Sequence, residues 1–453
     1  MIVYSPAISP RLQYTIDFMA KEMQEAEFRL TDSKEEFLNY TGAKINYSHQ
    51  RITNEIWIVP FGKNGGIVFE TQITQQETRC FNYNGMKAFF KTGGDYPFDV
   101  IAASFYLLSR YEEYLPHEKD EYGRFAHKNS LAYKENFLHQ PLVNMWMKDF
   151  KIVIRERWPN LPLKPITDRF SFLPTYDIDI AWSYKHKGFI RNTGGLLAEV
   201  FKGRFKSAST RLRVLWNSQE DPFDVYDWLH ALHGQYNLKP YYFFLIANKT
   251  GKFDKNIPPH NPAMKELIKQ HALHYPVGIH PSWQSGDENS LLKKEITDLS
   301  SITAQQILCS RQHYIRFQLP DTFRALLERG ILFDFSMGYG SINGFRASVA
   351  SPYYWYDLQK DHQTELMLFP FCYMDANSLF EQRLSPAKAY EEMEHYYKAV
   401  KDVAGTLVII WHNFILSGTN SYAGWREIYQ QFLAKYYEKE LALKNEEKNV
   451  LKV

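Results

Sequence analysis

From about Phe170 to Tyr429, short apolar strands alternate with amphipathic helices. This pattern predicts an α/β domain built on parallel strands, preceded by a smaller mixed α/β module. Two further observations support that division. The stretch WPNLPLKPIT, Trp158 to Thr167, resists helix and sheet and reads as a linker. Each cluster of chemically active side chains beyond it falls just after a strand, where α/β folds carry their sites. The expected organisation is an N-terminal module over 1–165, the α/β domain over 166–440 and a charged tail over 441–453.

In the N-terminal module MIVYS reads as a strand, Ser9 to Ala26 has helical apolar spacing, and NEIWIVP and GGIVFET alternate as strands do. Pro97 to Leu115 is its strongest helix: Ile101, Phe105, Leu108 and Tyr111 recur at helical spacing, and Pro97 suits a helix start. Glu112 and Glu113 beside Arg110 read as a solvated helix end. In the second domain, strands are predicted near residues 170–177, 240–246, 276–278, 307–310, 331–333, 366–369 and 407–411. Helices are predicted near 224–236, 263–271, 290–301, 320–329 and 386–403.

Composition narrows the function classes. With 53 basic and 51 acidic residues there is no net field to draw nucleic acid or an anionic membrane, and no basic stripe stands out. Cys80, Cys309 and Cys372 are odd in number and form no CxxC pair, which argues against a disulfide framework or a thiolate zinc site. MIVYSPAISPRLQYTIDF has no charged start followed by an apolar run, and no apolar stretch is long enough to span a bilayer. A cytoplasmic protein is therefore expected.

Four motifs carry chemistry. In TYDID, Asp177 and Asp179 share one side of an extended chain, and two carboxylates so placed need a compensating cation or hydrogen bonds. A divalent metal is one compensation, and an Asp-rich turn capping a helix is an equal alternative. VGIHPSW offers His280 as a metal ligand, against a buried or capping histidine. In CSRQHY, Arg311 suits a two-pronged ion pair with a carboxylate, and His313 could add a ligand or face substrate. In VIIWHN, His412 could protonate a leaving group.

The order of these motifs resembles the polysaccharide deacetylases with a NodB homology domain, carbohydrate esterase family 4. The resemblance implies a distorted (β/α) barrel, with TYDID as the first motif, GIHPSW the second, SRQHY the third and IIWHN the last. It makes Asp177 the general base, Asp179 and His280 metal ligands, Arg311 the residue that orients the base and His412 the general acid. The chain departs from the family at Gln284, where a second histidine is usual, and at His313, where a proline is usual. His313 could replace the missing ligand, Gln284 or water could complete the shell, or metal binding could have been lost. Residues before the domain look like an uncharacterised module that precedes such domains in some bacterial deacetylase-like proteins.

The activity expected from this resemblance is removal of N-acetyl groups from a sugar or glycan. The cofactor is a divalent ion held by Asp179, His280 and His313: zinc first, with cobalt, nickel or manganese as alternatives. Tyr314 and Trp283 are expected at the substrate, as is Arg346 in the aromatic loop GFRASVASPYYWYD. The alternatives are a catalytically silent glycan-binding relative and an amidohydrolase for a small non-sugar amide.

Overall fold

The computed structural model describes residues 1–23, 28–161 and 170–437. The expected tail over 441–453 and most of the proline-rich linker lie outside these residues. The chain forms two compact units that interleave along the sequence. One comprises Met1–Phe172, Ile315–Cys372 and Tyr396–Leu407. The other comprises Leu173–Tyr314, Tyr373–His395 and Val408–Val453.

The first unit opens with a four-stranded parallel sheet in the order β2-β1-β3-β4, made of β1 (Ile2–Tyr4), β2 (Arg29–Thr31), β3 (Lys44–Tyr47) and β4 (Ile56–Ile58). The helix Pro10–Glu22 starts where its sequence says it should: Ser9 Oγ accepts from Leu12 N at 3.0 Å, and Pro10 occupies the first turn, where an N–H has no partner to lose. GGIVFET does not form a strand. Residues Lys63–Val68 coil as a 3₁₀ helix, with Gly65 and Gly66 at φ 84° and 61°, a backbone that glycine adopts without steric cost. β5 (Phe81–Tyr83) and β6 (Met86–Ala88) pair as an antiparallel hairpin.

The helix expected over Pro97–Leu115 is shorter, Val100–Leu108. Asp99 caps it by accepting from Ala102 N at 2.9 Å, and Arg110, at φ 54°, stops it. The end of this element is not solvated. Glu112 and Glu113 are buried, because Arg110 Nε donates to Glu113 at 2.7 Å and Nη2 donates to Glu112 at 2.9 Å.

The second unit carries a further run of parallel strands. β7 (Ser171–Ile178), β8 (Tyr241–Leu245), β9 (Val277–His280) and β10 (Cys309–Ser310) pair in sequence order, joined by crossovers that include Tyr226–Tyr236, Pro262–His274 and Asn289–Thr303. The apolar run YYFFL of β8 is nearly all buried, as suits a strand covered on both faces. The chain then returns to the first unit, where β11 (Phe333–Asp334) lies parallel and β12 (Tyr353–Asp357) antiparallel to β13 (His362–Leu368). It re-enters the second unit at β14 (Tyr373–Met374), parallel to β15 (Thr406–His412), and β15 neighbours β7. The strand order in this unit is therefore β10-β9-β8-β7-β15-β14. Among the described residues, no helix is long and apolar enough to cross a membrane.

Candidate metal centre

Side-chain alternation along β7 sorts its residues. Thr175 and Asp177 fall on one side, where Arg311 Nη1 donates to Thr175 Oγ1 at 2.7 Å and to Asp177 Oδ1 at 2.8 Å. Tyr176 takes the other side, its hydroxyl 2.7 Å from that of Tyr429 and 2.9 Å from His233 Nε2. Arg311 is buried against the Phe243 ring, 4.5 Å from its centroid, so the guanidinium is fixed by stacking as well as by its ion pair.

Asp179 follows the strand end, in a turn held by Asn413, which donates to the carbonyls of Ile180 at 3.1 Å and Phe223 at 3.0 Å. Three imidazoles face this carboxylate. His280 Nε2 lies 3.2 Å from Asp179 Oδ1, His313 Nε2 lies 3.6 Å from Oδ2, and His412 Nε2 lies 3.7 Å from Oδ2. Each ring is held from behind through Nδ1: His280 by the Arg311 carbonyl at 2.6 Å, His313 by Asp254 at 3.0 Å and His412 by Asp375 at 2.6 Å. When such a ring is neutral, an Nδ1–H donated to the acceptor puts the lone pair on Nε2, the form in which imidazole binds a metal.

The electrostatics follow from this geometry. Burial alone would push the Asp179 carboxyl up, but the imidazoles of His313 and His280 outweigh it and hold Asp179 well below the ordinary value. For His313, burial opposes the charged form. Asp179 and Asp254 overcome that and bring it up to about 9. His412 likewise reaches about 9, because Asp375 outweighs burial, while Asp375 itself is raised by its desolvation.

These residues fit a divalent ion. The ligand atoms of Asp179, His280 and His313 all lie within 4.8 Å of one another. Ligands about 2.1 Å from a tetrahedral ion sit roughly 3.4 Å apart; here His280 Nε2 lies 3.2 Å from one Asp179 oxygen and His313 Nε2 3.6 Å from the other. Asp179 Oδ1 is buried and accepts no hydrogen bond among the described residues, which leaves a carboxylate oxygen in need of a cation.

Asp177, Asp179, His280, Arg311, His313 and His412 are thus brought together. Gln284 is not: it is exposed and opens a short 3₁₀ turn, Gln284–Gly286. Trp283 and Tyr314 stand beside the cluster as part of an aromatic trio with Phe253. The Phe253 and Trp283 rings stack with centroids 3.9 Å apart, and Tyr314 meets both edge-on. Tyr314 is also 4.6 Å from the His313 ring. Arg346, expected at the substrate, belongs to the first unit. There it is buried, donating to Glu113 at 2.8 and 2.6 Å and to the Gly338 carbonyl at 3.1 Å, with Phe317 4.1 Å away.

Two carboxylates escaped the sequence reading. Asp375 follows the two-residue strand β14, so the strand-end rule that found the other residues applies to it too. Asp254 had no such signal, since it lies in the loop between β8 and the helix Pro262–His274.

Residues 1–159 match DUF7033, a family of unknown function. Among curated proteins, none matches the chain. Solved structures similar to it include a protein from Mycobacterium smegmatis assigned as a polysaccharide deacetylase, at 16% identity and a TM-score of 0.38, covering 60% of this chain and 84% of that one. Puue allantoinase has 10% identity and the same TM-score over 60% and 85% of the two chains. A protein from Pseudomonas aeruginosa PAO1 assigned as a polysaccharide deacetylase has 12% identity and a TM-score of 0.38 over 59% and 85%. At these values none of them decides the chemistry, which rests on the side chains above.

Proposed function

We propose that the chain is a metal-dependent hydrolase that removes N-acetyl groups from a sugar or glycan. The observation that carries this reading is the convergence of Asp179, His280 and His313 within 4.8 Å, beside a second carboxylate, Asp177, and a third imidazole, His412. A divalent ion bound there would polarise the amide carbonyl and make water a stronger acid. Zinc suits a two-imidazole, one-carboxylate set best, and cobalt, nickel and manganese accept it.

The chain's own groups supply the proton transfers. Asp177, fixed through Oδ1 by Arg311, keeps Oδ2 for the proton of the attacking water. His412, held protonated at neutral pH by Asp375, delivers a proton to the departing amine. Trp283 and Tyr314 form a wall on which a sugar ring can stack, and the Tyr314 hydroxyl is a candidate donor to the oxyanion. The parallel pairing of β10, β9, β8 and β7, and of β15 with β14, is in keeping with a distorted (β/α) barrel that presents these residues at its strand ends.

His313 weighs against a catalytically silent relative, because it offers a third ligand atom beside Asp179 and His280 and has a carboxylate behind it. The test is acetate release from N-acetylated chito-oligosaccharides by protein reloaded with zinc, cobalt or nickel, run beside a panel of small amides. Turnover of the amides alone would move the substrate class, and no turnover with any metal would end the reading. Asp177→Asn should cut kcat by about 10²–10⁴-fold while leaving metal content unchanged.

A further inference from the structure

Between β7 and the helix Tyr226–Tyr236 the chain builds a helical hairpin, Gly188–Phe201 and Phe205–Leu215, whose amphipathicity is inverted. Helices in folded domains turn their apolar stripe to the core. The first hairpin helix packs through its polar side instead. Asn192 is buried there and accepts from Arg211 at 2.9 Å, Arg211 also pairs with Glu199 at 2.7 Å, and a Cβ on Gly195 would stand 2.6 Å from the Arg211 guanidinium.

Its apolar side chains face out. Phe189 is 85% exposed, Ile190 86%, Leu197 53%, Val200 45% and Phe201 88%. At 100° per residue these five span an arc of roughly 120°, opposite the packed side. The second helix adds Phe205 at 68%, and Trp216, just past its end, is 73% exposed. Single exposed apolar residues are ordinary, but a continuous face of aliphatic and aromatic groups is not.

The same segment is strongly basic. Lys185, Lys187, Arg191, Lys202, Arg204, Lys206, Arg211 and Arg213 stand against one acid, Glu199, in a chain whose formal net charge is only +2. The tip reads FKGRFK, alternating Phe201 and Phe205 with exposed Lys202, Arg204 and Lys206. The hairpin is firmly mounted. Asp221 accepts from the backbone N–H groups of Ser183, Tyr184 and Lys185 at 2.8, 2.8 and 2.9 Å, and Arg191 donates to the carbonyls of Asn256 and Lys255 at 3.3 Å.

We infer that this hairpin docks the protein onto an anionic phospholipid surface, with Phe189, Ile190, Leu197, Val200 and Phe201 entering the headgroup–acyl boundary and the lysines and arginines meeting lipid phosphates. Charge and side-chain type together select this partner. Two copies of so basic a face repel one another. A nucleic acid offers no use for Ile190, Leu197 and Val200, which have no ring to stack on a base. The overall charge balance concealed this patch, because the acids that offset it lie elsewhere in the chain.

The test is sedimentation of the full-length protein with vesicles of phosphatidylcholine and phosphatidylglycerol at 3:1, against phosphatidylcholine alone. Binding is expected to the anionic vesicles, to weaken with added salt, and to survive a chelator, which keeps the outcome independent of the metal centre. K202E/R204E/K206E should reduce partition by at least about a hundredfold, at roughly fivefold for each of the three basic charges lost. F189S/I190S/F201S should reduce it comparably, and both variants should keep the wild-type circular dichroism because every altered side chain is exposed. W216F provides a second readout: the blue shift of fluorescence on vesicle addition should shrink in this variant. Equal partition of wild type and both triple variants would overturn the proposal. So would tighter binding of single-stranded DNA than of vesicles, or a dimer that F189S/I190S/F201S abolishes.

Discussion

His313→Ala should lose its divalent ion and, with it, at least about a thousandfold in kcat/KM, whereas Gln284→Ala should stay within about threefold of wild type in both. The asymmetry follows from position. His313 Nε2 points at Asp179 with Asp254 behind its other nitrogen, and Gln284 is exposed in the turn beyond Trp283. If Asp179, His280 and His313 are the three ligands, as proposed, removing one leaves a two-ligand site that exchanges its ion readily. The carboxylate behind the ring should matter in its own right. Asp254→Asn is expected to weaken metal affinity about 10–100-fold, the usual effect of losing the hydrogen bond that orients a ligand histidine, and Asp254→Glu should recover part of it. The check is chelator-competition titration of zinc, with the visible spectrum of the cobalt form reporting ligand number. If Gln284→Ala sheds its metal and His313→Ala keeps it, His313 is not the third ligand.

The second large effect is on stability. Arg110 and Arg346 are both buried, and both lean on Glu113, through 2.7 Å on one side and 2.6 to 2.8 Å on the other. Glu113→Ala leaves two guanidiniums buried without their shared counter-charge. Breaking such a cluster from one side typically costs about 3–5 kcal/mol, a loss that urea unfolding would register. Its pH dependence has a definite sign. Burial alone would push the Glu113 carboxyl up, but Arg346 and Arg110 outweigh it and hold it down at about 2, below its ordinary 4.5. A depressed folded-state pKa adds stability that is complete above the unfolded value and is lost as pH falls toward the folded one. The gap between wild type and Glu113→Gln should therefore be constant above about pH 5 and narrow between 4.5 and 2. A gap that widens on acidification would mean the cluster is not what holds this region together.

Much of the fold and the site could be read from the residues because both obey local rules. Strands such as Tyr241–Leu245 announce themselves as short apolar runs. Asp177, Asp179, His280, Arg311, His313 and His412 all lie at or just past strand ends, where side chains from distant sequence meet. What could not be read depends on partners far along the chain. Glu112 and Glu113 resemble a solvated helix end until Arg110 turns left-handed and buries them. Arg346 resembles a substrate group until Glu113, more than two hundred residues earlier, pairs with it. Asp254 sits in a loop with no periodicity, and only the fold brings it to His313. The hairpin at 188–215 has helical periodicity, but nothing local shows that its apolar stripe points outward.

The aromatic trio beside the metal centre does more than offer a wall. Phe253 precedes Asp254, Trp283 lies three residues beyond His280, and Tyr314 follows His313, so each ring rides on the loop of one group of the site. Rings in contact behave as a rivet through three leaves: none of the loops can swing without dragging the others. The placement of these three loops is thus partly governed by ring contacts, each worth about 0.5–1.5 kcal/mol beyond its buried area. A chain with this construction can shift Asp254, and through it His313, by a substitution at the neighbouring Phe253.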